Sequence, residues 1–232
     1  MVEREIYVII VAGGSGSRMG ADIPKQFLEL GGKPILRLSI ELILEACPHA
    51  HIITVLPDGH VKYWEEYCLK ENFHVPQLIV PGGITRFHSV KNALAKVPGG
   101  VIVAVHDAVR PLASPRLVRA LLQQAAESGS AVPVVPAVDT LRLLEMRDGV
   151  LTAGGTLPDR SKIFAVQTPQ VFYSEILKDA YVQAFDTSFT DDASVVARKG
   201  IPLTYVQGER YNLKITTPED LVLAGAIITR QD

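Results

Sequence analysis

The sequence predicts an α/β fold: a Rossmann-like, mostly parallel twisted sheet flanked by helices, in one domain over residues 1–232. A β-hairpin arm protrudes at 137–156. Three observations predict this. Short β-branched runs alternate with segments of helical periodicity, the order of a sheet wound through crossover helices. The run Val8-Ile9-Ile10-Val11 opens directly onto Ala12-Gly13-Gly14-Ser15-Gly16-Ser17-Arg18-Met19-Gly20, a buried strand feeding a glycine-rich turn. From Ala137 to Thr156 the period changes to two around Asp148-Gly149, which marks a hairpin.

After the first strand and loop, the spacing predicts a helix over Pro34 to Ala46, stopped by Pro48. His51 to Leu56 is the next strand, closed by Pro57-Asp58-Gly59. Residues Val61 to Glu71 are helical, and Gln77 to Val80 is a short strand ending at Pro81-Gly82-Gly83. A helix from about Thr85 carries Val90, Leu94 and Val97 on one face, with Arg86 and Ser89 in its first turns. Val101 to Val105 is the strongest strand signal and runs into His106-Asp107-Ala108-Val109-Arg110-Pro111. Ser114-Pro115 starts a helix that runs to about Ser128, with serine at the cap and proline in the first turn.

Ala131 to Val135 is another strand, and the arm pairs Leu141–Leu144 with Val150–Thr152. A hairpin inserted into such a domain must hide its edges, and a second copy of the chain is an economical place, which predicts a homodimer. Ile163 to Val166 is a strand leading into Gln167-Thr168-Pro169-Gln170. Helices follow at Ser174 to Phe185 and Asp191 to Lys199, then the strand Leu203 to Val206. Thr217-Pro218-Glu219-Asp220 caps a final helix.

Composition bounds the function. The chain has 232 residues, 47% hydrophobic and 21% charged, with a formal net charge of −2, and it has no Lys/Arg-rich run. Nucleic acid and anionic membrane are therefore not expected as partners, and small molecules are. Met1 to Val11 fails as a secretory signal, and no apolar stretch is long enough to span a bilayer. Cys47 and Cys68, the only cysteines, lack C-x-x-C spacing. They read as reduced thiols in a cytoplasmic protein.

The glycine-rich loop can cradle phosphate with its backbone N–H groups, and Arg18 and Lys25 add positive charge just downstream. It is neither a full G-x-G-x-x-G fingerprint nor a Walker loop, and a purely structural turn reads the same way. Ligands of open α/β sheets bind beyond the carboxyl ends of the strands. That rule gathers the loop, Gly82-Gly83, Asp107, Thr168 and the segment before the last helix on one rim. Arg18, Lys25, Arg110 and Lys214 would bring cations there.

Asp107, a carboxylate stranded at the end of an apolar strand, reads either as an ion-pair partner or as a Mg²⁺ ligand shared with substrate phosphates. His106 reads as hydrogen-bonded scaffold. Asp191-Asp192 read as helix caps and dipole partners, with Thr190 the residue placed to meet a substrate. No G-x-S-x-G elbow is present, and Cys47 has no evident base, so nucleophilic catalysis is not indicated.

Eight motifs now stand in order from Ala12 to Leu221: A-G-G-x-G-x-R-M, P-K-Q, H-D-A-V-R-P, V-D-T, D-R, Q-T-P-Q-x-F, T-D-D-A and N-x-K-I-T-x-P-E-D-L. Together they resemble the 2-C-methyl-D-erythritol 4-phosphate cytidylyltransferases. That resemblance implies transfer of CMP from CTP to a sugar-alcohol phosphate, with release of pyrophosphate, on the non-mevalonate route to isoprenoids. It also implies a divalent cation, Mg²⁺.

The same resemblance assigns residues. Ala12, Gly13, Gly14, Gly16, Arg18 and Lys25 match the loop around the CTP phosphates, and Gly83 and Ser89 match positions that contact the cytidine. Asp107 matches the Mg²⁺ ligand, with Ala108 and Arg110 beside it. Thr140, Arg160, Thr168, Thr190 and Lys214 match the pocket for the sugar-alcohol phosphate. The resemblance implies that the arm crosses to a partner subunit, so that Thr140 and Arg160 act in trans, and that Arg18, Lys25, Asp107 and Lys214 carry the chemistry. Ser15 and Ile84 depart from residues that relatives often carry.

Ribitol-5-phosphate cytidylyltransferases share the loop, H-D-A-V-R-P and Q-T-P-Q, and are the alternative. Pro158-Asp159-Arg160-Ser161 and Phe189-Thr190-Asp191-Asp192-Ala193-Ser194 resemble the methylerythritol enzymes more closely. A nucleotidyltransferase acting on a sugar 1-phosphate and a non-catalytic nucleotide-binding module are more distant rivals; four charged residues retained together speak against the latter.

Overall fold

The computed structural model describes residues 4–13, 23–156 and 159–229. The chain opens with strand β1 (Ile6–Val11), a two-residue-per-strand hairpin of β2 (Glu29–Leu30) and β3 (Lys33–Pro34), and helix α1 (Ile35–Ala46). Strand β4 (His51–Leu56), helix α2 (Val61–Lys70), strand β5 (Gln77–Pro81) and helix α3 (Arg86–Leu94) follow. Next come β6 (Ile102–Asp107), α4 (Pro115–Ser128) and β7 (Ser130–Pro136). The arm is β8 (Leu144–Arg147) and β9 (Val150–Ala153). The last part holds β10 (Phe164–Val166), β11 (Gln170–Tyr173), α5 (Ser174–Tyr181), α6 (Asp192–Arg198), β12 (Tyr205–Gln207) and α7 (Pro218–Ile228).

The main sheet runs β10-β7-β11-β6-β1-β4-β5, with β12 also on β7. It is an α/β sheet with the predicted parallel centre: β1 pairs in parallel with both β4 and β6, and β4 with β5. Side chains alternate across it, as strand geometry requires. Val8 and Ile10 pack with α1, α2 and α4 on one face, whereas Ile9 packs with α3, α5 and α6 on the other. Both faces are therefore covered, which explains why β6 reads as an unbroken apolar run until its last two residues. Each fully buried Ile or Leu in these layers contributes about 1.5–3 kcal/mol.

Local chemistry sets the boundaries. Ser114 Oγ accepts from Leu117 N at the start of α4, and Gly129 ends that helix in the left-handed region at φ 83. Thr85 caps α3 through its hydroxyl, and Asp191 and Thr217 form capping boxes at α6 and α7. None of the helices among the described residues is long and apolar enough to cross a membrane.

The structure corrects the sequence reading in several places. Residues Gln170–Tyr173 form β11, antiparallel to both β6 and β7, where the sequence reading had only a connection. Val166 faces Val134 and Val171 faces Ala131, so five steps along one strand cross three along the other. The two extra residues form a bulge within 167–170, which aims side chains at the rim. Helix α5 stops at Tyr181 rather than Phe185, the hairpin β2–β3 was not foreseen, and the first arm strand begins at Leu144 rather than Leu141.

Candidate active site

Register decides where the site lies. Val11, the last residue of β1, pairs with Asp107, the last residue of β6, so the glycine-rich segment and the carboxylate leave the sheet side by side. Ala12 N donates to Val55 O, and its carbonyl accepts the buried Gln26 amide at 2.7 Å, which fixes the start of the loop. Gly82 N donates to Leu56 O, turning the chain sharply at the end of β5. A Cβ on Gly83 would lie 2.4 Å from His88 Cβ, so only glycine allows this turn to press against α3. Ser89 Oγ accepts from Gly83 N at 3.0 Å and donates to Thr85 O, locking that contact.

Two cavities open on this rim. The larger, about 360 Å³, is lined by Ala12, Gly13, Lys25, Gly83, Ile84 and Ser89 among others. The smaller, about 240 Å³, has walls from Arg110, Gln167, Thr168, Gln170, Thr190 and Asp191. Arg86, Asp107 and Lys214 line both. The seam between the cavities is thus an ion cluster.

Asp107 is its centre. Lys214 Nζ lies 2.8 Å from Oδ2, and Arg86 Nε donates to Oδ1 at 3.2 Å. Burial alone would push the carboxyl up, but Arg86 and then Lys214 more than offset it, holding Asp107 well below the usual carboxylate range. It is a fixed anion. Arg86 continues the chain of charge, since Nη2 donates to Asp192 Oδ2 at 2.7 Å. Tyr181 OH donates to the other Asp192 oxygen at 2.6 Å.

The backbone of Asp107 is equally constrained. Its N–H donates to Thr168 Oγ1 at 3.0 Å, and Thr168 Oγ1 stands 3.1 Å from His106 Nδ1. Nε2 of the same ring faces the Arg110 carbonyl at 3.1 Å. A carbonyl only accepts, so Nε2 carries the proton. Burial depresses the imidazole to about 4, so the ring is neutral, Nδ1 accepts, and the Thr168 hydroxyl donates to it. His106 is scaffold, as the sequence suggested, and it holds Thr168 to the seam.

Lys214 is placed by its neighbours. Ile215 N donates to Val109 O, and Arg110 Nη1 donates to Asn212 O at 2.7 Å. Asn212 Nδ2 donates to Thr168 O at 2.9 Å. Gln167 reaches into this segment: its amide donates to Glu209 O and Asn212 O while its Oε1 accepts from Glu209 N. The bulge at 167–170 and the segment before α7 are thus one hydrogen-bonded unit.

Of the residues singled out from the sequence, the structure gathers Ala12, Gly13, Lys25, Gly83, Ser89, Asp107 and Lys214 around the larger cavity, and Asp107, Arg110, Thr168, Thr190 and Lys214 around the smaller. Gly14, Gly16 and Arg18 lie outside the described residues. Ala108 lines neither cavity: it is fully buried, its N–H donates to Val11 O, and its carbonyl accepts from Ser39 Oγ. Thr140 and Arg160 stand away from both cavities on the exposed approach to the arm, where Arg160 Nη1 reaches Val138 O at 3.4 Å.

Sequence reasoning missed Arg86, Asp192 and Gln167. Arg86 follows Gly82-Gly83 by one short turn, a signal of position only. Asp192 was read with Asp191 as a helix cap. Asp191 does cap α6, accepting from Ser194 N at 2.8 Å, but Asp192 is fully buried against Arg86 and Tyr181.

No group of three or more His, Cys, Asp or Glu side chains gathers as a metal cage among the described residues. A lone, permanently ionised carboxylate at the mouth of both cavities suits Mg²⁺, which binds one or two carboxylates and takes its other ligands from water and substrate phosphates. The donor set therefore fits a cation that arrives with a phosphorylated ligand.

Comparison with known proteins agrees with this arrangement. The model of the 2-C-methyl-D-erythritol 4-phosphate cytidylyltransferase family matches residues 6–230. The protein of that name from Bacteroides thetaiotaomicron is 46% identical over 221 residues, covering 95% of this chain and 98% of its own. A crystal structure of the Thermus thermophilus protein of that name superposes with a TM-score of 0.75 at 33% identity, over 97% of this chain and 99% of that one. The 4-diphosphocytidyl-2C-methyl-D-erythritol synthase of Anaerococcus prevotii gives a TM-score of 0.79 at 25% identity, over 98% and 99%. The chain belongs to the 2-C-methyl-D-erythritol 4-phosphate cytidylyltransferase family.

Proposed function

We propose that this protein transfers CMP from CTP to 2-C-methyl-D-erythritol 4-phosphate, giving 4-diphosphocytidyl-2-C-methyl-D-erythritol and pyrophosphate. One observation carries the mechanism: two cavities that share only charged residues at their seam. CTP occupies the larger, against Ala12, Gly13, Lys25, Gly83 and Ser89, with Gly14, Gly16 and Arg18 completing the loop. The acceptor phosphate occupies the smaller, against Arg110, Thr168, Thr190 and Lys214. The reacting atoms then meet beside Asp107.

A phosphate oxygen of the acceptor attacks the α-phosphorus, and the bond from that phosphorus to the oxygen bridging to the β-phosphate breaks. Pyrophosphate leaves with the electron pair. No general base is needed, because the second pKa of a phosphate monoester is near 6 and the acceptor is largely a dianion at neutral pH. The protein's task is alignment and charge compensation. Lys25 and Arg18 stabilise the nucleotide phosphates, and Lys214 holds the acceptor phosphate close to the α-phosphorus. Asp107 would hold Mg²⁺, which supplies further neutralisation of the phosphate charge when bound.

The arm supports a homodimer. Leu144, Met146, Val150 and Leu151 are exposed on a two-stranded hairpin that pairs with no other described strand. Such a hairpin is marginal in water unless it packs on something. A second copy of the chain would cover it and bring Thr140 and Arg160 to the partner's smaller cavity. A cytoplasmic setting suits the two free thiols, Cys47 and Cys68.

The test is product identity. With CTP, Mg²⁺ and 2-C-methyl-D-erythritol 4-phosphate, mass spectrometry should show the cytidine diphosphate alcohol and pyrophosphate in equal amounts. CDP or inorganic phosphate in their place would mean attack at a different phosphorus and would overturn the reading.

A further inference from the structure

Arg86 and Asp192 have no role in the reaction as set out so far, yet Arg86 occupies the seam and Asp192 pairs with it from behind. Arg86 starts α3 directly after the Gly82-Gly83 turn, in the wall of the larger cavity. Asp192 starts α6 directly after Thr190 and Asp191, which line the smaller, and is itself fully buried behind that wall. Their 2.7 Å ion pair is the link between those walls. Asp192 is fully buried, and both its oxygens are used, one by Arg86 and one by Tyr181.

A buried carboxylate is costly unless paired, and its presence here needs a reason. Capping does not supply one, because Asp191 caps α6. The geometry of the guanidinium does. Left with Asp107 alone, Arg86 would close into a two-pronged pair that occupies both carboxylate oxygens. With Nη2 held by Asp192, only Nε reaches Asp107, and Oδ2 is left to Lys214. Among the described residues Nη1 has no hydrogen-bond partner, and Arg86 lines both cavities with 26% of its side chain exposed. Donors therefore remain for a ligand.

We propose that Arg86 is a further cation of the reaction centre, contacting phosphate groups from both cavities, and that Asp192, steadied by Tyr181, is the positioning residue that holds it there. This rests on the functional reading above. Nucleotide and acceptor then meet one guanidinium whose direction is set from behind, so that filling one cavity orders a donor used by the other.

The experiment is a double-mutant cycle of Asp192→Asn and Arg86→Gln, with Tyr181→Phe as a variant that keeps the ion pair and removes only the hydroxyl. Steady-state turnover, CTP binding by calorimetry and thermal melting are read on each. Asp192→Asn is expected to lower kcat/KM by about 10–100-fold, the scale of residues that orient a ligating group from behind. Its effect should shrink to less than threefold in the Arg86→Gln background, because the positioned group is gone. Tyr181→Phe should show a smaller loss of the same kind, with a fall in melting temperature of a few degrees for the buried Asp192 oxygen left without its partner. Arg86→Lys should not rescue, since an ammonium cannot reach two acids as a fork does.

Equal losses from Asp192→Asn in both backgrounds, with a matching fall in melting temperature, would make Asp192 structural and overturn the proposal. So would full activity of Asp192→Asn. If the wild-type protein turned over no acceptor, the functional reading would fail instead. CTP binding across the same four proteins would still decide the linkage, with non-additive losses supporting it and additive ones refuting it.

Discussion

Lys214 Nζ and Asp107 Oδ2 meet at 2.8 Å where the two cavities join, so this ion pair faces both cavities. The lysine is 41% exposed and comes from a segment already fixed by Gln167, Arg110 and Asn212. Replacing it should leave the fold intact. Lys214→Gln is expected to lower kcat/KM by about 10²–10³, as for removal of one transition-state donor. Initial rates with a parallel thermal melt check this, and a loss of less than tenfold would remove Lys214 from the chemistry.

The pH dependence should belong to the substrate. His106 titrates at about 4 and Asp107 lower still, so neither changes charge between pH 6 and 9. The acceptor phosphate dianion takes up a proton and becomes a monoanion near pH 6. Turnover is expected to fall as pH drops through about 6 and to stay level above about 7. An acidic limb that moves with the pKa of the acceptor, for example on replacing the phosphate by a phosphonate, checks the assignment. A limb that does not move would reveal a protein base.

Gly83→Ala tests the turn. The new Cβ would meet His88 Cβ at 2.4 Å and the His88 carbonyl carbon at 2.9 Å, so the first turn of α3 must move. Overpacking of this kind costs about 1–3 kcal/mol. Ser89 and Arg86 ride on the same turn. CTP affinity by calorimetry should therefore fall together with the melting temperature.

Gln167→Leu tests the support beneath Lys214. Glu209 and Asn212 would lose amide partners in a buried place, at about 1–3 kcal/mol. For a chain of this length each kcal/mol corresponds to roughly 2–4 °C in Tm. The KM for the acceptor should rise more than that for CTP, because the displaced segment carries Lys214 and borders the smaller cavity.

The central parallel strands were legible in the sequence because burial on both faces demands continuous apolar runs, as in Val8–Val11 and Val101–Val105. Asp107 was legible for the same reason: a charge ending such a run is conspicuous. Strand β11 was not. Gln170-Val171-Phe172-Tyr173 is short and antiparallel and lies against a helix start at Ser174, so no periodicity develops. The arm's turn at Asp148-Gly149 was legible, but its first strand begins three residues later than read, because both faces are exposed and no buried alternation marks where pairing starts.

Arg86 and Asp192 were invisible for another reason. An arginine in the first turn of an amphipathic helix and an acid at a helix start are both ordinary surface features. Only the fold brings Arg86 and Asp192 within 2.7 Å and buries the carboxylate. Tertiary pairing, not local pattern, gives them their chemistry.

The most direct test compares initial rates of pyrophosphate release with CTP and Mg²⁺, using 2-C-methyl-D-erythritol 4-phosphate against D-ribitol 5-phosphate, with ATP, GTP and UTP as nucleotide controls. Rapid turnover of the methylerythritol compound with CTP, and little with the others, is the result expected here. Preference for ribitol 5-phosphate would keep the two-cavity mechanism but contradict the substrate, and absence of pyrophosphate release with every acceptor would contradict the account itself.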